Sequence, residues 1–313
     1  MKRIAESQRG MAMLAVLMAV ALMTVLVMDF AYSATSGFRA AANQMNELRA
    51  DYLARSGVQV GLGLLSQDAR NDALSQQPYD GLDEMWATPF PPLPVGGGTA
   101  SVSIVDETRK LGINQLVNPA NGAPNQTFAA ELLRLFEVIN IPPEILPALI
   151  DWLTPGDTPS PGGAKSDYYL GLIPPYEPRN GPMPTIADLK MVRGVDDAIF
   201  TRLAQFLTVV PDTRVNINTA PPEVILAMLP QLANQPSMLQ AILSQRPFRT
   251  LTDFNKIPGV AAIAKNAQSL FTTQSDYFTI TGVGKFAGAR TFAYATVRRN
   301  GVGPMLLSFW HED

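Results

Sequence analysis

From Met11 to Met28 nearly every position is apolar, with Thr24 the one interruption. A run of about 18 residues is long for the core of a secretory signal and near the lower limit for a bilayer-crossing helix. Lys2, Arg3 and Arg9 precede it, so the excess of basic residues keeps that end cytoplasmic and places the body across the membrane. An ordinary signal cut near Ala31-Tyr32-Ser33 is the alternative. Between Asp29 and Asp68 there is no proline, and Phe30, Phe38, Met45, Leu48, Tyr52, Leu53, Val60 and Leu64 recur at helical spacing among Glu47, Arg49, Asp51 and Arg55. The pattern predicts one long helix, apolar in its first half and amphipathic in its second. Gly57, Gly61 and Gly63 weaken its far end but allow a sheet to approach closely.

The pattern then changes period. Residues 77–98, "QPYDGLDEMWATPFPPLPVGGG", are dense in proline and glycine and read as loop. "TASVSIVDE" (99–107) alternates like a half-buried strand. So do "SDYFTITGVGKF", "ARTFAYATVRRNG" and "GPMLLSFWHED" near the C-terminus, the last two separated by a hairpin signal at Arg299-Asn300-Gly301. The region between, about 113–273, reads as helical and weakly repetitive. "TIADLKMVRGV" (185–195) resembles "TLTDFNKIPGV" (250–260), and "IPPEILPALI" (141–150) resembles "APPEVILAML" (220–229). In each Pro-Pro-Glu, proline and acid suit a first helical turn. The chain is therefore expected to be α+β, with a large all-helical domain inserted between strands of an antiparallel sheet. Its expected divisions are a long helix over 11–70 (membrane anchor 11–30), loop and first strands over 71–112, the insertion over 113–273, and final strands over 274–313.

Composition removes most catalytic chemistry. None of the 313 residues is cysteine, which excludes disulfides, thiol catalysis, thiolate metal sites and an acylated-cysteine anchor. His311 is the lone histidine, so no multi-histidine metal site and no Ser-His-Asp arrangement in the body can form. Net charge is −3, with 24 basic against 27 acidic side chains, a poor match to a polyanion. "GVGKFAG" (282–288) lacks the order of a phosphate loop. Asp83-Glu84 and Asp196-Asp197 read as solvated loops or helix starts, and Trp152 as a core anchor. No enzymatic activity is expected.

Arg9-Gly10 directly before an apolar helix resembles a type IV pilin-like (class III) signal. The resemblance implies cleavage by a prepilin peptidase after Gly10, removing a 1–10 leader and leaving Met11 as an N-methylated terminus. That cut takes away Lys2, Arg3, Arg9 and Glu6, a net +2, so the charge of −3 becomes −5. Pilin-like proteins carry a glutamate at the fifth mature position, whose charge in an apolar bundle needs a neighbour's terminal ammonium. Here that position is Ala15.

Five segments together resemble the type II secretion minor pseudopilins of the GspK (general secretion pathway protein K) family, which also lack this glutamate. They are "LGINQLVN" (111–118), "LIDWLTPGD" (149–157), "GGAKSDYYL" (162–170), "PPYEPRNGPMPTIADLKMVRGV" (174–195) and "VNINTAPPEVILAML" (215–229). The resemblance implies a pilin-like fold, a long N-terminal helix packed on an antiparallel sheet, in a single-pass inner-membrane protein with a periplasmic body. It implies a place at the pseudopilus tip with GspI and GspJ, and GspH as a further candidate, where the subunit helps initiate assembly and export of folded proteins. A tip subunit has no forward neighbour to neutralise, which gives Ala15 a physical reason. Relatives of this kind bind calcium, a cation that needs several oxygen ligands. Asp151, Asp157 and Asp167 are the candidate ligands, although Thr154, Gly156, Lys165 and Ser166 stand where the family is richer in acid. A hydrogen-bonded packing turn is the other reading of this loop.

"DLKMVRGV" and "DFNKIPGV" also look like helix-hairpin-helix turns, whose backbone amides hold a DNA phosphate. The alternative is thus a type IV pilus or competence tip subunit contacting DNA. Asp188, Asp196, Asp197 and Asp253 offset the nearby Lys190, Arg193, Arg202, Lys256 and Lys265, so no nucleic-acid partner is expected.

Overall fold

The computed structural model describes residues 2–118, 120–211, 214–300 and 303–312, with side chains between Gly10 and Arg299. Lys2, Arg3, Glu6, Arg9 and His311 keep only their backbone in this description, and the hairpin tip at Gly301 lies outside the described residues.

A single helix, α1 (Lys2–Leu74), runs 73 residues without interruption, about 110 Å at 1.5 Å per residue. It starts earlier and ends later than the apolar periodicity alone requires. From Met11 through Phe38 its large apolar side chains are exposed. From Ala50 onward one face is buried against a five-stranded antiparallel sheet ordered β1 (Leu93–Val95), β2 (Gly98–Asp106), β7 (Tyr277–Phe286), β8 (Ala289–Asn300), β9 (Gly303–Glu312). The four strands between β2 and β7 form two short parallel pairs, β3 (Leu111–Gly112) with β4 (Leu207–Thr208) and β5 (Val215–Asn216) with β6 (Phe271–Thr272). Trp86 is buried inside the segment expected as loop, on a 3-10 turn (Met85–Ala87), and meets Phe278 edge-on with centroids 5.1 Å apart.

Helix and sheet touch through backbone. A Cβ on Gly284 would lie 1.8 Å from the Ala50 carbonyl oxygen, and one on Gly282 2.0 Å from that of Ala54. From the helix side, a Cβ on Gly57 would reach Ser101 O at 2.5 Å and one on Gly61 Ile280 Cγ2 at 2.5 Å. Gly63 faces open space, so only two of the three helix glycines serve this approach. Behind the seam lies a core of Val58, Leu65, Trp86, Ile104, Phe278, Ile280 and Val297.

Between β2 and β7 the chain builds a separate helical body around its own core, which includes Leu132, Leu135, Phe136, Leu149, Trp152, Tyr169, Phe254 and Phe271. Its helices are short: α2 (Gln126–Val138), α3 (Leu146–Leu153), α4 (Ser166–Leu170), α5 (Asp197–Leu203), α6 (Pro222–Met228), α7 (Pro236–Ser244), α8 (Leu251–Asn255), α9 (Val260–Ile263) and α10 (Ala267–Leu270). Proline opens α6, with Glu223 in its first turn, and a 3-10 turn at Pro143–Ile145 carrying Glu144 leads into α3, where proline and acid are favoured. Gly194 and Gly259 both take φ +85 at corresponding places in the two similar segments. The two preceding threonines also correspond: Thr185 donates to Asp188 and Thr250 to Asp253.

Candidate functional site

Three places bear on function. The first is the head of α1. A Cβ on Gly10 would meet nothing within 4 Å, so neither packing nor backbone shape explains a glycine there. Met11 is exposed, as are Met13, Leu14, Val16 and Leu17 around Ala15. Among the described residues, α1 is the one helix long and apolar enough to cross a membrane.

The second is the loop after α3. Asp151, on the last turn of α3, is buried, and its carboxylate accepts the Ser160 amide at 3.0 Å. Asp157 is exposed and accepts the Ser166 amide at 3.2 Å. Hydrogen bonds from Ser166, through its side chain and backbone, hold the Asp157 carboxyl below the usual range. Asp167 is exposed in the first turn of α4. The three carboxylates do not converge: among the described residues, the one set of three acids whose oxygens all lie within 4.8 Å of one another is Asp68, Asp80 and Glu84. The cation at the loop is Lys165, only 3% exposed. Its Nζ donates to the Asp151 carbonyl at 2.5 Å, the Thr154 carbonyl at 2.6 Å and Asn180 Oδ1 at 2.8 Å. An ammonium has three N–H bonds, and all three are used. The Asp151 carbonyl is available because the residue four further on is Pro155, which has no N–H to continue the helix. Burial lowers the Lys165 pKa, and the charges of Asp151 and Asp157 oppose that shift.

The third joins sheet to helical body. The Arg299 guanidinium donates to Asp68, to both carboxylate oxygens of Asp80 at 2.5 Å and to the Ser275 carbonyl at 3.1 Å, with Asp72 3.4 Å away. Asp106, 1% exposed, accepts from the Thr219 hydroxyl at 2.5 Å, the Ser275 hydroxyl at 2.6 Å and the Thr108 amide at 2.7 Å. Asn216 Nδ2 donates to Ser275 Oγ at 2.7 Å and the Asp80 carbonyl at 3.1 Å. Asn218 clamps Phe248 in both directions, accepting its amide at 2.7 Å and donating to its carbonyl at 2.9 Å. Thus "VNINT" is a buried polar clasp. Asn114 of "LGINQ" clamps Met183 likewise, at 2.8 and 2.9 Å.

Burial pushes the carboxyls of Asp68, Asp72, Asp80 and Asp106 above their ordinary range. Glu84, half-buried and hydrogen-bonded by the Gly81 amide and Trp86 Nε1, is pushed up to about 7, chiefly by burial. Glu84 is therefore no solvated loop acid. The sequence gives little sign of this cluster, because its members lie on six separate segments at no regular spacing. One available signal is Arg299 itself, a charge inside an alternating strand.

The helix-hairpin-like turns expose their glycines, but the amides that follow are already used, Val195 donating to the Val192 carbonyl and Val260 to that of Ile257, each at 3.1 Å. A Cβ on Gly259 would strike Met238 Cε at 2.3 Å, and one on Gly194 would contact Ile145 Cγ1 at 3.4 Å. Asp196 caps α5 through the Ile199 amide at 2.7 Å, as its helix-start reading requires. Lys190 and Lys256 are paired with Asp197 and Asp253 at 3.2 and 2.8 Å.

Models of the family "Type II secretion system (T2SS), protein K" match residues 109–212 and 215–274, together just over half of the 313 residues. A relative named "Type II secretion system protein K" from Pseudomonas aeruginosa is 27% identical over 259 residues, 80% of this chain and 77% of its own. One of the same name from Pectobacterium carotovorum is 25% identical, with 87% of each chain covered. Among solved structures, the crystal structure of the GspK-GspI-GspJ complex from enterotoxigenic Escherichia coli shares the fold. Its TM-score is 0.72 at 19% identity, covering 87% of this chain and 98% of that one.

Proposed function

The chain belongs to the type II secretion system protein K family, and we propose that it caps the tip of a periplasmic pseudopilus as a minor pseudopilin. The observation that carries this reading is α1. It is one unbroken helix whose first half exposes an apolar surface to lipid or to neighbouring helices, while its second half is fused to a sheet by backbone contact. In the membrane the apolar half is an anchor. In a filament the same surface packs between subunits, and Ala15 puts no lone carboxylate into that bundle.

Gly10 is the cleavage position. It has no packing duty, and a small residue lets a prepilin peptidase approach the bond before Met11. The orientation is N-terminus cytoplasmic and body periplasmic. The helical body widens the chain beyond the pilin-like helix and sheet, so it blocks further subunits from stacking above and directs growth below. Counterparts of GspI and GspJ, the partners in the complex from enterotoxigenic Escherichia coli, are the expected neighbours along α1, with GspH a further one. The subunit's contribution is assembly rather than catalysis. Secretion is favoured over a DNA-contacting pilus tip because the relatives share the secretion name and the amides after Gly194 and Gly259 already donate within their own turns.

The test is the N-terminal mass of the full chain expressed with and without a prepilin peptidase. A species beginning at methylated Met11, formed only with the peptidase, is expected. An uncut terminus, or one beginning after Ser33, would remove the basis for a filament role. Gly10→Leu is expected to leave an uncleaved precursor in the membrane and abolish secretion, while the melting temperature of the body stays unchanged.

A further inference from the structure

The oxygens around Lys165 form a small cage. Two are backbone carbonyls at the C-terminal end of α3, Asp151 and Thr154, and the third is the Asn180 side chain. Asn180 is held in place by its own backbone, which takes a left-handed φ of 51. The next amide, Gly181, donates to the Trp152 carbonyl at 3.2 Å. Helix C-terminal carbonyls attract cations, and a buried carbonyl without a donor is unfavourable. A cage of this kind asks for a cation.

A calcium ion does not fit it. Calcium takes six to eight oxygens, carboxylates usually among them. Here three neutral oxygens converge, and each already accepts an N–H from one ammonium. The nearest acid, Asp151, turns its carboxylate to the Ser160 amide instead. It also lies against Gly163, where a Cβ would fall 1.8 Å from Asp151 Oδ2. The far side of the loop is tied down independently, by Arg193 Nη1 on the Gly163 carbonyl at 3.0 Å. The carboxylates of Asp151, Asp157 and Asp167 are left apart, with no shared space in which a divalent ion would bind all three.

We propose that Lys165 is a tethered cation standing where a metal ion would otherwise order this loop, so that residues 154–165 hold their shape without calcium. The Nζ joins the end of α3 to the segment carrying Asn180, linking three stretches of chain as a coordinated ion would. Because the lysine is covalently attached, its occupancy does not depend on the free calcium concentration. Loop order in this chain is then set by sequence rather than by the ionic surroundings.

The test uses the full chain in detergent and reads thermal unfolding and hydrogen exchange of peptides covering 154–168. For the wild type, neither millimolar calcium nor a chelator is expected to move the melting temperature by more than about one degree or to change exchange in the loop. Lys165→Met keeps length but leaves three oxygens without a donor. It is expected to lower the melting temperature by about 5 °C and speed loop exchange about ten-fold. Asn180→Gly, which tolerates the left-handed φ of 51 and removes the side-chain oxygen, is expected to give the same changes at roughly half the size. Calcium that slows loop exchange in the wild type, or a chelator that speeds it, would overturn the proposal. So would a Lys165→Met variant whose loop exchanges like the wild type. If that variant does not fold, the wild-type titration and Asn180→Gly still decide. None of these readouts requires secretion or cleavage, so the result stands apart from the filament role.

Discussion

Replacing Gly284 by alanine adds one methyl group in the place where it is least tolerated. The new Cβ would fall 1.8 Å from the Ala50 carbonyl oxygen, 2.6 Å from the Ala54 nitrogen and 2.8 Å from the Ala50 carbonyl carbon. All three are backbone atoms of α1, so no rotamer change relieves the clash. Restoring ordinary contact requires helix and sheet to separate by roughly 1.5 Å along the seam, and a radial gap even of that order forfeits a large share of dispersion energy. The side chains that lose contact are those behind the seam, Ala54, Val58 and Leu65 against Val102, Ile280 and Ala293. Overpacking costs typically 1–3 kcal/mol and occasionally more, and an unyielding pair of backbones puts this case at about 3–4 kcal/mol. That corresponds to a fall of about 6–16 °C if sheet and helical body unfold as one unit, and more if the sheet domain unfolds alone. The control is Gly63→Ala, on the same helix but facing open space, which should raise stability by up to about 1 kcal/mol through helix propensity alone. Calorimetry of the two variants beside the wild type gives the answer. Equal transitions for Gly284→Ala and Gly63→Ala would show that the seam is not set by backbone contact.

The raised carboxyl of Glu84 makes stability depend on pH. Its folded pKa of about 7 lies above the ordinary glutamate value of 4.5, so the folded state holds the proton more tightly and stability falls as pH rises from about 4.5 to 7. Glu84→Gln, which keeps an acceptor for Gly81 and Trp86, should flatten that slope and add about 1 kcal/mol at pH 8 for this half-buried group; an unchanged slope would refute the assignment. Arg299→Met leaves Asp80, which is fully buried, without its cation and should cost about 3–5 kcal/mol at neutral pH, less in acid. A loss under 1 kcal/mol by chemical denaturation would mean that the cluster carries no charge at Asp80. Asn218→Ala removes both hydrogen bonds to Phe248 and should lower stability by about 2–3 kcal/mol; wild-type denaturation would show that the clasp is dispensable.

How much of this was legible in the sequence depends on how far apart the cooperating residues lie. The helix of α1, the strand expected over 99–107 and found over 98–106, and the paired C-terminal strands all announce themselves through local periodicity. The helical insertion was readable from proline and acid at helix starts. The parallel pairs β3–β4 and β5–β6 were not, since two residues each leave no pattern. The cluster of Asp68, Asp80, Asp106, Asn216, Ser275 and Arg299 draws on residues separated by up to 231 positions. Nothing local marks it. Trp86 and Glu84 were hidden by the proline and glycine around them, which describe the backbone but not what it buries. Lys165 was visible as a departure from an acidic loop, but its role was not. Its partners are carbonyls, which every residue has, so no side-chain pattern records them.

The insertion has a consequence for the order of folding. Asp106 and Phe278 are direct partners across β2 and β7, yet residues 107–277 separate them along the chain. Pairing those strands in an unfolded chain means closing a loop of that length, an entropic cost of about 4–5 kcal/mol, before any contact offsets it. If the helical body forms first from its short-range contacts, its two ends are already neighbours, with the Glu107 amide donating to the Tyr277 carbonyl at 2.8 Å. The sheet then meets β2 and β7 as a hairpin whose turn happens to be a domain. Folding from the insertion outward converts a slow, long-range pairing into a local one, and the Asp106 clasp to Thr219 and Ser275 fastens the two halves as the last strands arrive.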